Sequence, residues 1–244
     1  MTQKAKIFSV TILFVVTFLQ LSNAIHPDTR CSLADSPCLT KQTQKKLKEF
    51  VNGNPKLGIQ PLDKVPLDPI IVAADNFFFN WTDVKAGGLK NAIIDNVSIN
   101  MDLKTMRVLF HTDIILEFYS VLDGVLLSVL PVNGSGRGDL TLKTMQMEIL
   151  FVFDIIKDEN GKDVMDLKTY YYGYDTADGV ISRLENLYNG DKKKSDLLHN
   201  LVNESWRIMV SNFGAFFQRK ITSKIFDAVK IFMRSRPLEE LALY

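Results

Sequence analysis

The sequence is poor in the residues from which metal and catalytic sites are commonly built. It has 244 residues but only two cysteines and three histidines. Two cysteines cannot form a disulfide-dense framework, and so few cysteines and histidines disfavour a metal site. Neither sign of charge dominates, since 29 basic residues face 28 acidic ones, so no basic surface is offered to nucleic acid. We expect no metal, no cofactor and no nucleic-acid partner.

The sequence contains apolar residues in the proportion that is usual for globular proteins. Apolar residues make up 46% and charged residues 23%, which excludes collagen-like and low-complexity chains. The length is compatible with one or two domains that can bury a sizeable core. Phenylalanine is unusually frequent, with 16 residues against seven tyrosines and two tryptophans.

Residues 1–24 have the pattern of a secretory signal peptide. Lys4 and Lys6 precede an apolar run over 7–19, and small residues lead up to a cleavage position after Ala24. A membrane anchor is the alternative, but the run is shorter than the roughly 20 residues that a spanning helix needs. We therefore predict a secreted, extracellular protein.

The predicted mature chain, residues 25–244, is expected to form one domain without stable membrane insertion. No later segment reaches 18 consecutive apolar residues, and no linker or repeat divides the chain. Because export exposes the chain to an oxidising compartment, Cys31 and Cys38 are expected to form a disulfide. The loop between them is short, so its entropic stabilisation should stay below about 3 kcal/mol.

Secretion also makes four Asn-x-Ser/Thr sequences candidates for N-glycosylation. They are Asn80, Asn96, Asn133 and Asn203. Asn133 has the most favourable context because it lies in a glycine-rich stretch that we interpret as a turn. Asn96 and Asn203 fall in strand-like and helix-like patterns, where an unmodified residue is the alternative.

Residues 70–185 have the pattern of successive strands with short turns, which indicates an antiparallel sheet. Apolar residues alternate with polar ones over 108–118 and again over 145–153. We interpret 125–132 as a further apolar strand, 134–138 as a glycine-rich separator between strands, and Asn160-Gly161 as a hairpin turn. Before the sheet, 39–51 predicts a short helix and the proline-rich 55–69 an extended connection.

After residue 191 the apolar period changes to steps of three or four residues. This stripe predicts one helix over about 194–233, roughly 60 Å long at 1.5 Å per residue. Such a helix is longer than a compact domain of this size is wide. We therefore predict an α+β fold in which a strongly curved antiparallel sheet wraps one long C-terminal helix. The space between them is either a solid core or an apolar tunnel.

Several short motifs occur together along the chain. After Cys31 and Cys38 come 57–63 (Leu-Gly-Ile-Gln-Pro-Leu-Asp), the strand and glycine turn at 124–136, 187–191 (Leu-Tyr-Asn-Gly-Asp), 201–206 (Leu-Val-Asn-Glu-Ser-Trp) and 237–241 (Pro-Leu-Glu-Glu-Leu). With these motifs the mature chain resembles the takeout/juvenile-hormone-binding protein family of secreted insect proteins. Lys64 and 193–195 depart from the family pattern, but both lie in predicted loops.

The resemblance implies a lipid-binding fold of the TULIP type, with a hydrophobic tunnel between sheet and helix. It also implies a carrier of an elongated hydrophobic molecule, such as a juvenile hormone-like terpenoid or a fatty-acid-like lipid. From periodicity we place eleven side chains on the candidate tunnel wall. They are Phe110, Ile114, Leu116, Phe118, Met147, Ile149, Phe151, Met209, Phe213, Phe217 and Ile221.

Catalysis and a purely interacting role are the two competing functions. The Gly-x-Ser-x-Gly nucleophile turn is absent around Ser135, and His26, His111 and His199 have no neighbouring acid at a suggestive spacing. We therefore predict no enzymatic activity. A protein that presents lipid to an unknown receptor or binds microbial surface lipid is the alternative. It would favour a basic tip, for which only Lys192–194 is a candidate. We expect a monomer.

Overall fold

The computed structural model describes residues 30–74 and 76–243, so the predicted signal peptide and His26 lie outside the described part. Within that part, one antiparallel sheet contains eight strands, in the order β2-β4-β6-β7-β8 with β3 paired to β4, β5 to β6 and β9 to β7. A two-residue parallel pair joins β1 near the start of the described chain to β10 at its end.

The strands and helices have the following bounds. The strands are β1 Cys31–Ser32, β2 Val65–Pro66, β3 Ile70–Ala74, β4 Phe77–Gly87, β5 Ile93–Asn100, β6 Thr105–Leu126, β7 Leu130–Lys157, β8 Asp163–Thr176, β9 Val180–Leu184 and β10 Ala242–Leu243. The helices are α1 Ser36–Val51, α2 Lys192–Glu204, α3 Trp206–Arg234 and α4 Leu238–Leu241, and three short 3₁₀ turns occupy Pro55–Leu57, Leu89–Asn91 and Tyr188–Gly190.

The two longest strands, β6 and β7, form the spine of the sheet. Even-numbered residues from 110 to 122 on β6 are buried, and so are odd-numbered residues from 145 to 153 on β7. This alternation confirms the predicted inner face. Register shifts interrupt the pairing at 82–85, at 112–114 and at 152–153, and such bulges bend a sheet. The sheet curves so that its apolar face lies inside.

The interpretation of 125–132 as a single strand is wrong. Strand β6 ends at Leu126 and β7 begins at Leu130, so this apolar run is a hairpin. Leu127 and Ser128 both adopt positive φ, near 51° and 63°, which is the conformation of a tight hairpin turn. This turn lacks the glycine and asparagine residues by which hairpin turns are usually recognised in a sequence. The Asn160-Gly161 turn between β7 and β8 is confirmed, with Gly161 at φ 75°.

The glycine-rich segment 134–138 does not separate two strands, as predicted, but lies within β7. Its three glycines, Gly134, Gly136 and Gly138, leave room for a neighbouring segment. A Cβ atom on Gly136 would lie 2.8 Å from the carbonyl oxygen of Glu185. A Cβ on Gly138 would lie 2.6 Å from side-chain atoms of Phe118 and of Leu184. The glycines therefore let the segment that follows β9 approach the backbone of β7 closely, where Glu185 N–H donates to Arg137 O and Leu187 forms a bridge with Gly134.

The glycosylation candidates differ in accessibility. Asn133 is exposed on β7, although in a strand and not in the predicted turn. The side-chain oxygen of Asn80 is buried, the Asn96 amide donates to Ser36 Oγ at 3.0 Å, and Asn203 Oδ1 accepts from the backbone of β9. Glycosylation stays a prediction, and Asn133 is the site that requires the least rearrangement.

Helix α1 confirms the predicted N-terminal helix and covers the edge of the sheet. Its Gln44 bridges β5 by donating to Ala92 O and accepting from Ile94 N–H, while Thr40 accepts from Val97 N–H. These bonds satisfy backbone groups that an edge strand would otherwise leave open. The predicted disulfide is present: Cys31 on β1 is joined to Cys38 in the first turn of α1.

The predicted single helix over 194–233 is two helices, and the continuous part is shorter than expected. Ser205, with φ −93° and ψ 26°, separates α2 from α3. Helix α2 packs on β9, whereas α3 packs on β8, so the break lets one apolar stripe cover two differently placed strands. Helix α3 has 29 residues, about 43 Å of helix.

Aromatic contacts show how the sheet wraps α3. Near its beginning, the Phe213 ring lies 6.0 Å from that of Phe77 on β4. Toward its end, the Phe226 ring lies 4.7 Å from Tyr170 on β8 and 6.4 Å from Phe151 on β7. The helix therefore contacts strands from both sides of the sheet, which confirms the predicted architecture of a curved sheet around a long C-terminal helix.

The close approach of the segment after β9 to β7 predicts a specific sensitivity to glycine substitution. Gly136→Ala should destabilise the protein by about 1–3 kcal/mol, because the new Cβ meets backbone atoms of Glu185 that cannot rotate away. Gly173→Ala on β8 is the matched control, since a Cβ there meets nothing within 4 Å. Denaturant unfolding would measure both, and equal stabilities of the two variants would contradict this close approach.

Candidate functional site

An apolar cavity of about 120 Å³ lies between the inner face of the sheet and the junction of α2 with α3. Strands β3, β4, β6, β7 and β9 form its floor, and the two helices form its roof. Its apolar lining consists of Ile70, Phe77, Phe79, Trp81, Leu122, Leu126, Val132, Leu140, Leu142, Val180, Leu184, Leu198, Val202, Met209, Val210, Phe213 and Phe217.

An aromatic cluster forms one wall of the cavity. The Phe213 ring lies 5.8 Å from Phe79, which in turn lies 5.2 Å from Trp81 on the same strand. Trp81 stacks on Phe118 of β6 with ring centroids 3.9 Å apart. Interlocked rings of this kind have few accessible rotamers, so this wall is the rigid side of the cavity.

The opposite wall carries the only two polar side chains among the described residues that line the cavity. They are Ser182 on β9 and His199 on α2. No described lining residue is charged. The cavity is therefore suited to an uncharged, mostly hydrocarbon molecule, because burying an unpaired charge there would cost far more than burying hydrocarbon gains.

Side chains of α2 tie the helix to β9 and so close the cavity. His199 Nε2 accepts a hydrogen bond from Leu184 N–H at 3.0 Å. Asn203, one helical turn further on, accepts from Ser182 N–H through Oδ1 at 2.8 Å. Because β9 pairs with β7 on its other side, these two bonds satisfy backbone groups at its free edge.

The structure places three of the eleven predicted wall residues at this cavity, namely Met209, Phe213 and Phe217. The other eight are buried on the inner side, as their periodicity predicted, but are not among the residues that line this cavity. They are Phe110, Ile114, Leu116, Phe118, Met147, Ile149, Phe151 and Ile221. Ligand contact by any of the eleven stays a prediction.

The lining from β4, β9 and α2 was missed by sequence reasoning. Trp81 lies just before a register shift on β4, and bulged strands have no simple alternation. Ser182 lies on a strand of five residues, too short for a periodic signal. His199 directly follows the apolar Leu198 within the helical pattern, and this adjacency is the one hint that the sequence offers.

The charged groups at the far end of α3 serve to attach the helix. Asp166 on β8 is nearly buried, and the hydrogen bond that Lys168 donates to it holds the pKa of that carboxyl below its usual range. Arg234, the last residue of α3, lies 3.5 Å from the same carboxylate. This cluster anchors the end of α3 to β8 and lies outside the cavity lining.

The candidate catalytic residues are not brought together. His111 faces Asp95 at 2.9 Å on the exposed side of the sheet. Ser135 is paired with Val121, ten residues along β6 from His111, which corresponds to about 34 Å. His199 lies on the inner side, where its Nε2 is used by β9. Within the described residues, no cluster of His, Cys, Asp and Glu could hold a metal ion.

A second, open depression lies between α1 and β5, but its polar groups are already engaged. It is lined by Ser36, Thr40, Gln44 and Asn96 among others. Ser36 donates to Val97 O at 2.6 Å and accepts from the Asn96 amide, while Thr40 and Gln44 bind the backbone of β5. This depression therefore results from the attachment of α1, and the apolar cavity at the α2–α3 junction is the better candidate.

Comparison with known proteins agrees with this geometry. The profile of the family described as haemolymph juvenile hormone binding protein matches residues 11–243. The crystal structure of Takeout 1 from Epiphyas postvittana superposes with a TM-score of 0.84 at 31% identity, covering 88% of this chain and 100% of that one. A structure of lipopolysaccharide binding protein matches with a TM-score of 0.44 at 12% identity, over 82% of this chain and 39% of that one. No curated protein sequence matches.

A long helix wrapped by a curved antiparallel sheet, with an apolar cavity between them, defines a lipid-binding protein of the TULIP type. The chain belongs to the haemolymph juvenile hormone binding protein family, of which the takeout proteins are part. The resemblance given by its motifs is thereby confirmed. Across residues 30–74 and 76–243, no helix has the length and apolar character needed to cross a membrane.

The attachment of α2 can be tested through Asn203. Asn203→Ala should leave Ser182 N–H without its acceptor, costing about 1–2 kcal/mol locally, so that the amides of β9 and α2 exchange hydrogen faster. Asn200→Ala is the control, because Asn200 is exposed on the same helix. Hydrogen-exchange mass spectrometry would measure both, and unchanged protection in Asn203→Ala would show that the bond does not hold α2 in place.

Proposed function

We propose that this protein is a secreted carrier that sequesters one elongated hydrophobic molecule, a terpenoid or fatty-acid-like lipid, between its sheet and its helices. The observation that carries the proposal is the partly open apolar cavity at the junction of α2 and α3. Seventeen of its described lining residues are apolar, and two are polar. Membership of a family named for juvenile hormone binding supports the same class of ligand.

Binding energy would come from removing ligand hydrocarbon from water. At about 25 cal/mol per Å², burying 300 Å² of an apolar chain contributes on the order of 7 kcal/mol before the entropic cost of association. A few hundred Å² of contact is therefore enough for a useful carrier without any charged anchor.

The cavity must enlarge to accept such a molecule. Its volume of about 120 Å³ is below the roughly 300–1,000 Å³ of typical ligand pockets. Met209 is unbranched and adaptable, and α2 is held on β9 by only a few polar bonds, so this wall can yield. The aromatic wall of Phe79, Trp81 and Phe213 would stay fixed and shape the ligand.

Secretion and the boundary at Ala24 are part of the same proposal. They rest on the signal-peptide pattern of 1–24, and the disulfide between Cys31 and Cys38 supports an oxidising destination. Lipid presentation through a basic tip has less support, because Lys192 pairs with Asp196 at 2.5 Å and Lys194 with Asp191 at 3.6 Å. The carrier is therefore the function that we propose.

The direct test is native mass spectrometry of the protein secreted from expressing cells, followed by solvent extraction of what co-purifies. A carrier should show a mass adduct of a few hundred daltons that extraction identifies as a lipid. An apolar fluorescent probe should bind the stripped protein and be displaced by that lipid. Absence of any adduct, together with no probe binding, would contradict the proposal.

A filling substitution locates the binding site. Val210→Phe adds bulk to the cavity lining on α3 and should weaken probe binding about tenfold or more, because the added ring occupies ligand volume. Val229→Phe is the matched control, a half-buried valine on the same helix that does not line this cavity. Equal loss of probe affinity in the two variants, measured by fluorescence titration, would place the binding site elsewhere.

A further inference from the structure

The two polar side chains of the cavity lie on one wall and are close together. Ser182 and Leu184 face the cavity from β9, and His199 binds the backbone N–H of Leu184 from α2. The remaining described lining is hydrocarbon. A bound molecule would therefore meet hydrogen-bonding groups at one place only, and its orientation would be fixed there.

The Ser182 hydroxyl has no hydrogen-bond partner among the described residues. The residue is 8% exposed, and its backbone N–H is already bound to Asn203. This hydroxyl faces a cavity whose other described lining is almost entirely hydrocarbon, so an acceptor atom of a bound ligand could form a hydrogen bond with it there.

The His199 ring contributes a second donor. Because Nε2 accepts from Leu184 N–H, the ring proton of the neutral imidazole lies on Nδ1. No described residue accepts from Nδ1. His199 thus lines the same wall as Ser182 with a ring whose free donor is Nδ1–H, and a donor on this wall would select an acceptor atom on the ligand.

The absence of charged side chains from the described lining limits the chemical groups that could supply this acceptor atom. Among the described residues, no lysine or arginine lines the cavity to neutralise a carboxylate, and an unpaired anion in an apolar cavity would be strongly disfavoured. A neutral oxygen, such as the carbonyl of an ester or a ketone, needs only hydrogen bonds. Donor groups in an otherwise apolar site discriminate strongly between ligands that satisfy them and those that do not.

We propose that Ser182, with His199 beside it, is the specificity-determining polar contact of this cavity and selects hydrophobic ligands that carry a neutral oxygen acceptor over hydrocarbons and carboxylates. This inference rests on the proposed carrier function. It predicts which functional group the bound lipid has, whereas the carrier function itself requires only that the cavity take up hydrocarbon.

The test compares three probes of one chain length, hexadecane, methyl hexadecanoate and hexadecanoate, by displacement of an apolar fluorescent dye from the stripped protein. Wild-type protein should bind the methyl ester about tenfold more tightly than the alkane, and the carboxylate more weakly than the ester. Ser182→Ala should lose most of the preference for the ester and keep its affinity for hexadecane.

Two further variants separate recognition from folding. Ser120→Ala removes another buried serine of the inner face, 2% exposed and also without a partner for its Oγ, but outside the cavity lining. It should leave the ester preference intact. Ser182→Thr keeps the hydroxyl and should retain much of the preference.

The outcomes distinguish the two proposals. Displacement by all three probes with no preference for the ester, or loss of the preference equally in Ser120→Ala, would overturn the role of Ser182 and leave the carrier standing. A preference for hexadecanoate would overturn the selection of neutral oxygen. No displacement of the dye by any of the three would contradict the carrier function itself.

Discussion

The structure depends on one constraint: the apolar inner face of a long, curved sheet has to be covered along its whole length. Strands β6 and β7, with 22 and 28 residues, present alternate side chains to the inside. A flat sheet would need a second layer of equal width to cover its apolar face. Bulges curve this sheet, so that a single layer of α-helix covers its concave inner face. Helix α3 does so from Phe213, beside β4, to Phe226, beside β7 and β8.

The cavity follows from the same constraint. The helical layer is broken at Ser205, where α2 packs on β9 and α3 on β8, and the cavity lies at the junction of the two helices. The remaining space is lined by what faces it: aromatic rings from β4 and α3, aliphatic chains from β7, and two polar groups from β9 and α2. The break in the helix is thus the feature that produces the site.

The glycines of β7 have a supporting role. Gly134, Gly136 and Gly138 allow the chain after β9 to lie close against β7 before it enters α2. Ser182 itself is positioned by the pairing of β9 with β7, and His199 by its hydrogen bond with Leu184 N–H. On α3, Gly214 similarly lets the Tyr174 hydroxyl approach, since a Cβ there would lie 2.8 Å from it.

The sequence was sufficient to predict the architecture, the N-terminal helix, the disulfide and the inner faces of β6 and β7. These predictions follow from the periodicity of apolar residues, from the spacing of the cysteines and from the long apolar face of the C-terminal helix, which has to be buried against the sheet. Ser205 could not be recognised as a break, since the apolar stripe continues through it and nothing local forbids a helix there. The turn at Leu127–Ser128 was missed because its residues are not typical of turns. The cavity wall was predicted only in part, because Trp81, Ser182 and His199 come together through a bulge, a short strand and a helix edge.

The central claim is that the apolar molecule occupies the space under the α2–α3 junction. Photo-crosslinking tests it most directly, with a long-chain lipid that carries a diazirine along its chain and peptide mapping of the products. The account predicts labels concentrated on 180–184, 198–217 and 77–81. Labels confined to the exposed face of the sheet or to the depression between α1 and β5 would contradict it.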